Sequence, residues 1–154
     1  SDGLSISTPG GDNTTITPIT TNKNINLGGS GAGIIRFTTS ALVASGSLGY
    51  TTGAGGTQTQ GTSRTTGVTL DKICGAITLF SAAGSTTPAT FTVTNSTVAA
   101  TDTIIVNQKS GTDLYTLSVT RVATGAFDIT FNTESGTTVE QPVFNFTVLK
   151  AVTS

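Results

Sequence analysis

The chain contains no histidine. That removes the commonest general base and, with it, the Ser-His and Cys-His pairs that activate nucleophiles. Cysteine occurs once, at Cys74, so no disulfide can form within the chain. Lys72 is its only basic neighbour, and Ile73 and Gly75 flank it. A reactive thiol needs an electropositive, partly exposed site, so Cys74 reads as a reduced, packed group inside a strand. Charge is scarce as well. Asp, Glu, Lys and Arg make up 10% of the 154 residues, against about 25% in an ordinary domain. A net charge of −1 offers no basic footprint for nucleic acid. No apolar run is long enough to cross a bilayer and no secretory leader is evident, so membrane insertion is not expected. The lack of Met before Ser1 fits either removal of an initiator or a fragment of a longer chain.

Thr, Gly and Ser fill the positions that charge leaves vacant. Disorder usually comes with high net charge and few β-branched residues, whereas this composition suits strands. A weakly charged surface does not repel copies of itself, which points to a protein that works in an assembly. The strongest strand signal is Pro142–Val152. Phe144, Phe146 and Val148 share one face of an extended chain, and Asn145 and Thr147 share the other. This stretch is expected to be the core strand of a β-sandwich.

The first 56 residues read differently from the rest. Ser1–Asp12 is a polar arm, Thr14–Leu27 holds short extended pieces, and Gly28–Gly33 precedes Ile34-Ile35-Arg36-Phe37. Such short, Gly-broken strands need partners to be stable. An extended Gly/Thr-rich β arm built from several chains would bury Ile25, Leu27, Ile34 and Phe37, which are the candidate oligomer interface. Gly53-Ala54-Gly55-Gly56 reads as a flexible joint. The domain division is therefore 1–56 for attachment and oligomerisation, and 57–154 for the sandwich. From Thr57 onward, about seven extended segments follow at spacings typical of an all-β, antiparallel sandwich of jelly-roll or immunoglobulin-like type. They fall near Thr66–Leu70, Cys74–Phe80, Ala89–Asn95, Thr103–Gln108, Leu114–Val122, Ala126–Asn132 and Pro142–Leu149. Ile104-Ile105-Val106 and Ile77-Thr78-Leu79-Phe80 are apolar on both faces, which suits a central strand or one covered by a partner chain.

No motif carries chemistry. Gly28–Gly33 lacks the G-x-G-x-x-G spacing and is followed by a strand pattern instead of a helix, so it reads as a structural turn. The carboxylates Asp2, Asp12, Asp71, Asp102, Asp113, Asp128, Glu134 and Glu140 fall mostly at turns or solvent faces. No two have a suggestive local spacing, so they read as surface solvation, with neither a glycosidase pair nor a calcium loop among them. Asn13-Thr14-Thr15, Asn95-Ser96-Thr97 and Asn145-Phe146-Thr147 match the glycosylation pattern, as a Thr-rich chain does by chance. Tyr50 and Tyr115 could stack on a sugar, but Tyr115 is in register with Leu117 and Val119 and reads as core. No cofactor or metal is expected.

Three stretches together resemble a β-sandwich domain found at the C-terminus of bacteriophage fibres and other virion proteins. They are Gly67-Val68-Thr69-Leu70-Asp71-Lys72, the run from Phe91 to Thr103, and Phe144-Asn145-Phe146-Thr147-Val148-Leu149-Lys150. The run from Asn24 to Phe37 looks like the short shaft elements of such fibres. The resemblance implies a homotrimer on the surface of the phage particle, attached to capsid, portal or tail proteins, with no catalytic residues. The short shaft points to a small head fibre, collar or decoration protein. The competing expectation is an adhesin module for a host surface glycan, using an exposed sheet face or the loop tips Ser110–Asp113 and Glu134–Thr138.

Overall fold

The computed structural model describes residues 49, 50 and 52–151. All lie in a compact unit that spans Leu48–Ser154. The candidate interface residues Ile25, Leu27, Ile34 and Phe37 lie outside the described residues.

Ten strands form three sheets, with no helix among the described residues. They are β1 (Gly55–Thr59), β2 (Val68–Thr69), β3 (Cys74–Thr78), β4 (Ala82–Ala83), β5 (Ala89–Thr94), β6 (Thr103–Ser110), β7 (Tyr115–Ala123), β8 (Ala126–Thr133), β9 (Val139–Glu140) and β10 (Val143–Leu149). One four-stranded sheet has the order β1-β3-β10-β6 and is called here the β10 sheet. The other, β2-β5-β8-β7, is the β8 sheet; β4 and β9 form a separate two-stranded ribbon. Pairing is antiparallel except for β1 with β3 and β2 with β5.

Alternation in the sequence decides which sides meet. In β10, Phe144, Phe146 and Val148 are buried while Asn145 and Thr147 face outward. In β8, Phe127, Ile129 and Phe131 are buried opposite outward Asp128 and Thr130. The two inner faces interlock through aromatic rings. Phe127 meets Phe146 at 5.2 Å between ring centres, Phe131 meets Phe144 at 5.6 Å, and Tyr115 meets Phe144 at 5.4 Å. Each ring so buried contributes about 1.5–3 kcal/mol by leaving water, and each tilted pair about 0.5–1.5 kcal/mol more. This is a sandwich-like arrangement with β10 interior to its sheet, as its sequence pattern requires.

Two local devices fix the register. Gly125 has φ of 81° in the turn between β7 and β8, a conformation that favours glycine. Further along the same hairpin, a β-bulge lies between Val119 and Arg121. Val119 pairs with Ile129 and Arg121 with Asp128, which leaves Thr120 as the extra residue. The bulge changes the phase of β7, so that Arg121 faces outward beside Asp128 and Val122 pairs with inward Phe127.

Four sequence expectations are corrected. Gly55 and Gly56 are no joint but the start of β1, held parallel to Cys74 and Gly75. β6 is an edge strand and not a central one; Ile104 is buried while Ile105 is 51% exposed. Cys74 sits in β3 but pairs with outward Thr147, so it is partly exposed on the outer face and not packed in the core. Asp102 and Asp113 are buried, not solvating the surface, because turns close over their carboxylates.

Candidate functional site: the loop cluster at one end of the sandwich

The strands define two ends. Tyr50 donates its hydroxyl to Val148 O at 2.5 Å, and Lys150 donates to Thr97 O at 2.7 Å and Asp102 Oδ2 at 2.5 Å. The described body is therefore entered and left at the same end, called here the root. Asp102 Oδ2 also accepts from Ala99 N at 2.8 Å; this bond first, then Lys150, holds its carboxyl below the usual aspartate range. Asn95 is fully buried at the root. It donates to Lys72 O at 2.7 Å and accepts from Thr97 N and Oγ1, so its glycosylation pattern is inaccessible.

At the opposite end, the tip, the loops converge on a buried arginine that the sequence reading did not single out. Gln60 prepares its place. Its amide donates to Arg64 O at 3.0 Å and Thr66 O at 2.8 Å, and its Oε1 accepts from Phe80 N at 3.1 Å. A guanidinium has five N–H donors, and Arg64 has five acceptors. They are the carbonyls of Phe80, Ala82, Ala83 and Glu140 and the hydroxyl of Tyr115, the last at 2.9 Å. Tyr115 in turn donates to Glu140 Oε1 at 3.1 Å, so one hydroxyl relays between cation and carboxylate. Glu140 also accepts from Thr112 N and from Asp113 N at 3.1 Å. Burial opposes ionisation of Glu140, but these N–H groups and the Tyr115 hydroxyl outweigh it and keep its pKa below the usual glutamate value. Burial, with the nearby Glu140 charge, pushes the Tyr115 phenol up to about 12 despite the opposing pull of Arg64.

The neighbouring loops are fastened by the same logic. Asp113 Oδ2 accepts from Thr138 N at 2.9 Å. Gln108 donates to Asp113 O at 2.8 Å and accepts from Tyr115 N at 3.0 Å. Buried Thr133 donates to Gly136 O at 2.7 Å. A Cβ at Gly84 or Gly136 would overlap the Asp113 carboxylate, so the packing requires glycine at both positions. The loop tips Ser110–Asp113 and Glu134–Thr138 are thus brought side by side, with Asp113 as the bridge. Tyr115 lies beneath them, buried against Phe131 and Phe144, while Tyr50 lies at the root.

Chemically the cluster is a clamp. Every Arg64 donor is taken, Tyr115 keeps its proton at neutral pH, and Glu140 is occupied by three donors. No group of three or more Cys, Asp or Glu side chains suited to a metal occurs among the described residues. Outward from the clamp, a shallow hollow of about 420 Å3 runs from Gln108 to Leu114. Leu114 and Val139 stand exposed at this end. Comparison of the chain with protein-family models, with curated proteins and with solved structures found no match.

Proposed function

We propose that this is a structural protein of a bacteriophage particle, non-enzymatic and homo-oligomeric, which projects its sandwich from the virion surface. The observation that carries the reading is the polarity of the body. Chain entry at Tyr50 and exit at Lys150 share the root, and the loops at the tip are fastened by buried hydrogen bonds. A body tethered at one end and stiffened at the other suits a head fibre, a capsid decoration or a collar or tail fibre. Scarce charge and the resemblance to phage fibre domains support the same assignment, with a trimer as the expected assembly and capsid, portal or tail proteins as partners. The finer fold reading is jelly-roll or immunoglobulin-like; the parallel pairs β1–β3 and β2–β5 depart from a purely antiparallel pattern. Immunogold labelling of intact phage particles tests the placement. We expect label on the particle surface; label confined to unassembled protein contradicts it.

A second reading is favoured by one observation: Ser110–Asp113 and Glu134–Thr138 meet at the tip beside a shallow hollow. That geometry suits an adhesin which meets a host glycan with loops held in place beforehand. A glycan array with the full chain separates the two. Saturable binding lost on changing Thr112 or Ser135 favours the adhesin, and no binding leaves the structural role alone.

A further inference from the structure

The strands of the β10 sheet run along the line from root to tip, and their register fixes which way each one points. Near the root, Gly55 pairs with Cys74 and Cys74 with Thr147; near the tip, Thr59 pairs with Thr78 and Thr78 with Val143. β1 therefore rises from the chain entry toward the tip, and β10 descends from the tip to the exit. β1 is an edge strand, held to β3 alone by five parallel pairs. It is exposed except at Gly56, so backbone hydrogen bonds hold it and apolar packing contributes little. The hold continues past its last residue. Gln60 N donates to Thr78 O at 2.9 Å, and Arg64 is fixed at the tip by its five acceptors.

We propose that the body is a load-bearing link, resistant to tension between tip and root and weak to tension across the root. The proposal rests on the reading above of a body tethered at its root, and it names the strand that carries the load. A pull on the tip loop Glu134–Thr138 acts on β8 before it and, through β9, on β10 after it; both are interior strands, paired on two sides. The opposing pull, at the chain entry, acts on β1 along its own axis. The rungs to β3 then share the load, and β1 slides only when they break together. A pull between entry and exit works differently. Both points lie at the root, so the force runs across the strands. It peels β1 from the Gly55–Cys74 pair onward and β10 from the Leu149–Thr103 pair onward, one rung at a time. The root contacts in its way are side-chain bonds, Tyr50 to Val148 O and Lys150 to Asp102. Forced unfolding is governed by the unfolding barrier, and a barrier of several rungs broken together is higher than one of single rungs in turn.

Single-molecule pulling on the full-length protein tests the load path. Cys74→Ser removes the single thiol, so that introduced cysteines set the direction of force. Thr52→Cys with Ser135→Cys pulls root against tip, and Thr52→Cys with Ala151→Cys pulls across the root; all three positions are exposed. At one loading rate we expect a rupture force at least about twofold higher for the first pair. Two prolines then separate the ladder from the strand. Gln60 N faces β3, so by alternation Gln58 N faces it too, and Thr57 N faces the open edge. Gln58→Pro removes a rung and should lower the tip–root force toward the cross-root value. Thr57→Pro, whose lost N–H bonds no strand, should leave it high. Circular dichroism confirms that each variant keeps its strands. Equal forces in the two directions overturn the proposal, and so does a tip–root force that Gln58→Pro leaves unmoved or that both prolines lower alike. Each of these leaves the virion placement standing. Immunogold label confined to unassembled protein removes that placement and leaves the measured load path as it is.

Discussion

The outer faces of the two sheets end their polar groups in opposite ways. On the β8 sheet the outward side chains satisfy one another. Thr90 and Thr130 share a hydrogen bond of 2.7 Å, and Thr120 and Thr130 one of 2.8 Å. Thr92 donates to Asp128 at 2.7 Å, and Arg121 grips the same carboxylate with two nitrogens at 2.6 and 2.9 Å. The bulge at Thr120 makes that grip possible by turning Arg121 outward. On the β10 sheet the outward residues include Asn107, Lys109 and Thr147, and the acceptor Asn145 Oδ1 has no donor among the described residues. Among the described residues, one face satisfies its polar groups and the other leaves one buried acceptor without a donor. A closed network of hydroxyls and one ion pair suits water.

Both faces stand on one core, so the largest effects should come from residues that belong to neither. Phe144→Ala removes a fully buried ring that touches Tyr115 and Phe131 across the sandwich. We expect a loss of about 3–5 kcal/mol in denaturant unfolding. A loss under about 1 kcal/mol would mean that the inner faces do not interlock as described. Arg64→Lys is next. The charge stays but three donors replace five, so at least two of the carbonyl or hydroxyl partners go unmet. The expected cost is about 2–3 kcal/mol, with faster proteolysis at the tip loops and not at the root. On the faces themselves effects should be smaller. Thr130→Val breaks the hydroxyl ladder of the β8 sheet and should cost about 0.5–1 kcal/mol without changing the molecular mass in solution. A change of mass would remove the contrast between the faces.

The acid response sharpens the comparison further. Asp71, Asp102, Asp128 and Glu140 all titrate below their free values of 3.8 and 4.5 in the fold. The leading favourable partners are the Ser96 N–H for Asp71, the Ala99 N–H for Asp102, Arg121 for Asp128 and the Thr112 N–H for Glu140. The folded state thus binds fewer protons than the unfolded chain. Their stabilisation is present above the free values and lost as pH falls through the folded ones. A melting temperature that is flat near neutrality and falls below about pH 4 is expected. Tyr115 works the other way, with its folded pKa raised to about 12 from 10.0. Its contribution is present below pH 10.0 and is lost as pH rises through about 12, visible as a late phenolate signal in ultraviolet absorbance.

The strands with strong alternation were legible in the sequence. β5, β6, β7, β8 and β10 lie within about two residues of the expected segments, because one apolar side per strand is what a half-buried sheet imposes. β1 was not legible, since Gly-Gly-Thr-Gln-Thr at a sheet edge buries almost nothing and leaves no period to read. The two-residue ribbon of β4 and β9 is too short to leave one. Arg64 was invisible for a different reason. It stands in a polar Ser/Thr stretch, and its partners Phe80, Ala82, Ala83, Tyr115 and Glu140 are brought to it only by tertiary packing. The turn positions of Asp102 and Asp113 were readable, but not their burial, which depends on distant partners: Lys150 for Asp102 and the Thr138 N–H for Asp113. A signal for the β7 bulge was present: apolar residues fall at Tyr115, Leu117 and Val119 and then shift phase to Val122.

The homo-oligomeric proposal comes down to whether the chain works alone. Sedimentation equilibrium of the full-length protein at micromolar concentration measures that directly. We expect a mass that is a multiple of 15.4 kDa, threefold for a trimer. A single species at 15.4 kDa would contradict it.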